Sequence, residues 1–179
     1  MAEHRPSRIW VMRCLYLGLS FFIIFLHLLP LATSPNRWVA PDLIMALTFA
    51  WAMRRPEYVP VICVAGIILL ADLLFQRPPG LTAGLIVVGA ETLRARAMAN
   101  RDMPYLVEWI SVAGVMIGVV LTQRLLLAMF FIPAPALGLV LQELMMTIAL
   151  YPIVVMLSHF VFNVRRPSPG EVDALGQRL

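Results

Sequence analysis

Six apolar runs divide this chain, and the breaks between them are built from arginine, proline and glycine. The runs cover about residues 10–30, 38–53, 59–75, 81–98, 105–131 and 136–162. A helix needs about 20 apolar residues to cross a bilayer, and most of these runs come near that length. Hydrocarbon offers no water to an open backbone, so runs of this kind must satisfy their own hydrogen bonds as helices. Composition agrees: 61% of the 179 residues are hydrophobic and 13% charged, with a mean hydropathy of +0.86. A soluble domain is about half apolar. The fold expected is an all-α integral membrane protein, a six-helix transmembrane bundle. Residues 1–163 form one transmembrane domain, and 164–179, rich in charge, Pro and Gly, form a short disordered cytoplasmic tail.

Arginine placement sets the direction of the spans. All 14 basic residues are arginine. With the N-terminus in the cytoplasm, Arg5, Arg8, Arg13, Arg54, Arg55, Arg94, Arg96, Arg101, Arg165, Arg166 and Arg178 lie inside. Arg37 and Arg77 lie outside, and Arg124 falls within the fifth span. That bias fits six spans with both ends cytoplasmic. The same placement argues against nucleic acid as a partner, because the basic residues mark the ends of apolar runs. The first run is too long for the h-region of a signal peptide, about 7–15 residues, and reads as an uncleaved helix. Pro41, Pro60 and Pro104 are expected at first helical positions, where a missing N–H costs nothing. Pro152 falls inside the sixth span and should kink it. The second and third runs are short for a bilayer, and either central packing or local thinning of the bilayer would explain that.

Asp72 interrupts the third run, although a carboxylate at mid-bilayer costs about 2.5–3.5 kcal/mol. Depth resolves the difficulty. Asp72 lies about one turn before the outer loop, Asp42 opens the second span, and Arg77 is in the loop itself. Arg124 is seven residues before Phe131, and Glu143 seven after Ala136. At 1.5 Å per residue both are about 10 Å from the turn joining the last two spans. Asp42, Asp72, Arg77, Arg124 and Glu143 therefore form one outer-leaflet polar layer, with Gln123 and Gln142 beside it. An Arg124–Glu143 ion pair is expected, since an unpaired guanidinium would be costly there. One reading makes the layer structural, capping helices and fastening their ends. The other makes it the contact for a partner or ligand.

The inner level holds Glu91 and Arg94, spaced i, i+3 as a helical pair, with Glu108 and His159 at span ends. Snorkelling to the interface explains Glu108 and His159. His27 reads as a hydrogen-bonded structural histidine. Gly80 and Gly84, and Gly114 and Gly118, repeat the G-x-x-x-G spacing that lets helices approach closely, within the chain or with a partner. Cys14 and Cys63 read as inert thiols, and the scattered methionines as lipid or core contacts; no metal or cofactor is expected. No H-E-x-x-H, G-x-S-x-G or P-loop pattern occurs. Ser158 and His159 are sequence neighbours, which do not face each other on a helix. Catalytic residues are not expected.

Two stretches carry a resemblance: "APDLIMALTFAWAMRRPEYVP", residues 40–60, and "GIILLADLLFQRPPGLTAGLIVVGAETLR", residues 66–94. Pro41 and Asp42 open the second span, Asp72 and Leu73 end the third, and Gly80 sits in the turn that follows. With the Pro-bearing last span and its basic exit, this pattern resembles the rod shape-determining protein MreD family, in its alphaproteobacterial form. The resemblance implies a non-enzymatic, multi-pass protein of the bacterial inner membrane, with membrane lipid around it. It would belong to the rod complex, or elongasome, which directs peptidoglycan synthesis along the side wall and sets rod cell shape. MreC would be its first partner, with MreB, RodA and penicillin-binding protein 2 in the larger assembly. The resemblance also implies a fold similar to the substrate-binding subunits of energy-coupling-factor transporters. The alternative function is therefore a small-molecule-binding subunit of vitamin-transporter type. That alternative predicts an outer cavity near Asp42, Asp72 and Arg77, although the loops are too short to supply a long lid.

Overall fold

A computed structural model describes residues 5–29, 40–99, 104–162 and 164, with side chains from Arg8 onward. Arg37, Arg101 and the tail beyond residue 164 lie outside the described residues. Among the described residues six α-helices follow one another: α1 (Arg5–Leu28), α2 (Leu43–Arg54), α3 (Val61–Leu74), α4 (Leu81–Ala99), α5 (Tyr105–Met129) and α6 (Leu137–Phe162). One 3-10 turn, Pro56–Tyr58, joins α2 to α3. Among the described residues three helices are long and apolar enough to cross a membrane: Arg8–Leu28 within α1, then α5 and α6. Apolar α2 and α3 are shorter, at 12 and 14 residues. The 19-residue α4 carries Glu91, Arg94 and Arg96.

Local chemistry sets the helix ends. Asp42 caps α2, its Oδ1 accepting from the Met45 N–H at 2.9 Å. Pro56 forces Arg55 out of the helical region, to φ −145° and ψ 79°, and α2 stops. Pro60 and Pro104 stand at the caps of α3 and α5, in extended backbone, rather than at the first helical position. Pro41 stands one residue earlier still, because the Asp42 side chain takes the capping role at α2. Gln76 and Phe131 both have positive φ, 55° and 53°, and close the ends of α3 and α5. The Arg77 N–H reaches the Asp72 carbonyl and the Ile132 N–H the Leu127 carbonyl, both at 2.9 Å, as in a Schellman ending. Gly80 has φ 84°, which only glycine adopts without strain, and it starts α4.

The short α2 is the centre of the molecule. Every residue from Ile44 to Met53 is buried, and Phe49 and Trp51 are wholly enclosed. Helix α2 lies between α4 and α6; α3 packs on α4, α4 on α5, and α1 on α3 and the 3-10 turn. A helix apolar on all sides belongs in a core. Its 12 residues span only about 18 Å, but a protein-surrounded helix need not match the bilayer. Thr48 and Trp51 of α2 have partners in this core, whereas the buried Ser20 hydroxyl of α1 has none among the described residues. Thr48 donates to the Ile44 carbonyl at 2.7 Å and shares a 2.9 Å hydrogen bond with the Tyr16 hydroxyl. The Trp51 indole donates to Ser158 Oγ at 3.0 Å.

Glycine packing differs from the sequence expectation. A Cβ added at Gly84, Gly114 or Gly118 would meet nothing within 4 Å, and at Gly80 only Leu69 Cδ1 at 4.0 Å. The buried side of α5 is Val112, Met116 and Val119. Gly114 lies two residues from Val112, about 200° around the helix, so the G-x-x-x-G pair faces outward. The close approach is at Gly89, where a Cβ would stand 2.9 Å from Phe49 Cζ and 3.0 Å from Val115 Cγ1. Glycine at 89 lets α2, α4 and α5 meet.

Candidate functional site

The residues expected in one polar layer do gather at one end of the bundle, around the α3–α4 and α5–α6 turns. Asp72 is 1% exposed. Its Oδ2 accepts from the Gly80 N–H at 3.2 Å and the Ala83 N–H at 3.3 Å, the free donors of the α4 N-terminus. The carboxylate of α3 thus caps the next helix across a tight turn, where the helix dipole favours negative charge. Leu73 points away and is 58% exposed. Pro41, Asp42, Asp72, His27 and Glu143 border a small cleft of about 20 Å³. His27 rests on the Phe75 ring, centroids 4.7 Å apart, in place of the expected hydrogen bond.

Asp42 joins two helices as well as capping one. Its N–H donates to Thr147 Oγ1 at 2.9 Å, and Thr147 donates to the Glu143 carbonyl at 2.7 Å. Beside this link lies a cavity of about 370 Å³ between α2, α4, α5 and α6. Asp42, Arg77, Gln123, Arg124 and Glu143 contribute its polar lining, and Ile86, Val119 and Leu144 apolar wall. Gln123 reaches across it to Thr82 Oγ1 at 3.4 Å. Four of the five layer residues therefore share one cavity, while Asp72 is withdrawn beneath the adjoining turn.

The expected Arg124–Glu143 ion pair is absent. Arg124 Nη1 donates to the Pro135 carbonyl at 2.9 Å. The segment between α5 and α6 brings that carbonyl back over the helix end, within reach of the guanidinium. Glu143 is faced instead by Arg77, Nη2 to Oε1 at 3.9 Å, with both side chains about a third exposed. Such a long, accessible pair contributes little. Arg124 and Glu143 line one cavity, but their partners differ from the expectation.

At the opposite end the structure overturns the snorkelling assigned to Glu108. Its side chain is 1% exposed and takes a two-pronged contact from Arg54, Nε to Oε1 at 3.1 Å and Nη2 to Oε2 at 3.4 Å. The Tyr151 hydroxyl donates to the same carboxylate at 3.0 Å. Three helices, α2, α5 and α6, meet at this one charge. Arg94 pairs with Glu91 as expected, and also donates to the Val59 carbonyl. Arg13 Nε donates to the Glu57 carbonyl at 3.0 Å, tying α1 to the 3-10 turn. The arginines read as topology markers are thus also fasteners. A sign was present in the sequence: Arg54 and Glu108 stand at the ends of their runs and so at similar depth. His159 is half-exposed, its ring near Phe160, and Ser158 is engaged by Trp51.

Among the described residues no group of three or more His, Cys, Asp or Glu is placed to hold a metal ion. Comparison with family models, curated proteins and solved structures returned no match.

Proposed function

We propose that this chain crosses the inner membrane six times, with both ends cytoplasmic, and serves as a non-enzymatic scaffold of the bacterial rod complex. The observation that carries this reading is the role of the family-pattern positions. Asp42 caps α2, Asp72 caps α4, and Gly80 supplies the positive φ between them. Residues that shape helix junctions suit a protein whose product is a surface for other proteins. MreC is the partner the sequence resemblance favours, with MreB, RodA and penicillin-binding protein 2 further out. The outward Gly114 and Gly118 on α5, with exposed Ile110, Ile117 and Leu121 around them, fit a partner's transmembrane helix.

Co-purification tests the reading. The full chain should elute with MreC from detergent extracts, and Gly114→Leu with Gly118→Leu should abolish this without changing thermal unfolding. Failure of the unaltered chain to retain MreC sinks the scaffold. Cysteines placed at 55 and 77 should be labelled from opposite sides of the membrane; labelling from one side sinks the six-span topology.

The cavity favours a second reading, a small-molecule-binding subunit of vitamin-transporter type. Two of the three residues that alternative names, Asp42 and Arg77, line it, which supports this reading, while Asp72 does not. Retention of a water-soluble ligand by the purified chain, independent of MreC, would favour this reading over the scaffold.

A further inference from the structure

We propose that the cavity between α2, α4, α5 and α6 binds the phosphate group of an amphiphile, held by the Arg124 guanidinium, with the apolar part against Ile86, Val119 and Leu144. The site does not depend on the rod-complex reading.

Three observations lead to it. First, Arg124 has donors to spare. A guanidinium carries five N–H groups, and Arg124 gives one to the Pro135 carbonyl. Among the described residues the ion pairs include Arg77–Glu143, Arg54–Glu108, Arg55–Glu57 and Arg94–Glu91, and Arg124 joins none of these. An unpaired guanidinium at membrane depth needs water or an anion.

Second, the nearby carboxylates are engaged. Asp42 accepts from the α2 backbone, where the helix N-terminus offsets its charge, and Glu143 is faced by Arg77. Of the two arginines in the lining, Arg124 is the one without a carboxylate partner among the described residues, so the group it favours is an anion. The planar guanidinium fork matches phosphate oxygens two at a time.

Third, the lining is mixed. Ile86, Val119 and Leu144 give it apolar surface beside the polar groups. Its volume, about 370 Å³, falls in the range of about 300–1,000 Å³ typical of small-ligand sites. A free phosphate ion would leave those apolar walls uncovered, whereas a phosphate joined to an acyl-bearing group would cover them.

Native mass spectrometry of the full chain, stripped of lipid in detergent, tests this. It is titrated with phosphatidylglycerol, with diacylglycerol of the same chains, and with inorganic phosphate. One phosphatidylglycerol should be retained per chain, with the other two held at least about tenfold more weakly. Equal retention of diacylglycerol removes the phosphate from the proposal, and equal retention of inorganic phosphate removes the apolar part; either overturns it. Arg124→Gln should weaken phosphatidylglycerol retention about tenfold or more, and Arg96→Gln, at an exposed site on α4, should not. Val119→Trp, which fills the cavity without touching charge, should weaken it too, with unfolding measured alongside. Unchanged retention in a folded Arg124→Gln or Val119→Trp chain overturns the proposal. In the unaltered chain, phosphatidylglycerol with a photoreactive group beside its phosphate should label residues near Arg124 and Glu143. Labels confined to the outward faces of α1 and α5 overturn it whatever the variants do.

Discussion

The Trp109 indole N–H donates to the carbonyl of Ile148 at 3.1 Å. That carbonyl is the one Pro152, four residues later in α6, cannot serve, because proline has no N–H. A side chain of α5 thus repairs the break that Pro152 makes in α6, as membrane helices with internal proline require. Proline and tryptophan together fasten the last two helices.

Loss of that repair should be measurable. Trp109→Phe is expected to lower stability in detergent by about 1–3 kcal/mol, since a buried carbonyl loses its donor. Pro152→Ala returns a backbone N–H to α6, so in the Trp109→Phe chain it should restore part of the loss. Thermal unfolding of the single and double variants forms the cycle that checks this. Strictly additive effects would mean that the two residues do not share the carbonyl.

The Arg54–Glu108 pair makes a larger claim. Removing one member takes a close countercharge from the other at a buried site, and Arg54→Ala or Glu108→Ala should each destabilise by about 3–5 kcal/mol. Replacing both together, Arg54→Met with Glu108→Leu, should cost far less, because no charge is then stranded. Denaturation in mixed micelles compares the three chains. A double variant as unstable as the singles would show that the site depends on charge itself.

Asp72 is expected to matter as an acceptor for α4 more than as a charge. Asp72→Ala should cost about 1–2 kcal/mol and speed amide exchange at Gly80 and Ala83. Asp72→Asn keeps an oxygen for those N–H groups and should retain most of the protection. Hydrogen exchange followed by mass spectrometry reads the difference; equal protection in the wild-type and Ala chains would remove the capping role.

Gly89 and Gly114 should separate in their tolerance of bulk. Gly89→Val drives a side chain into Phe49 and Val115, an overpacking that should cost about 1–3 kcal/mol. Gly114→Val meets open space and should leave the isolated chain as stable as before. Unfolding of both variants in the same detergent decides it.

Some of this architecture was legible in the sequence. Apolar run length, with Pro and Arg at the breaks, placed the described helices to within about five residues, because those residues act on the backbone of the segment they sit in. Level along the bundle was legible too: rise per residue grouped Asp42, Arg77, Arg124 and Glu143, and all four line one cavity. Tertiary structure alone decided the partners. Helices apolar on every side carry no mark of which face turns inward, so nothing in α5 told Gly114 from Gly89 in α4 as the point of close approach. For the same reason Arg124 could be placed beside Glu143 in height and still turn to the Pro135 carbonyl. Rotation about each helix axis is fixed by packing, and packing is a property of all the helices together.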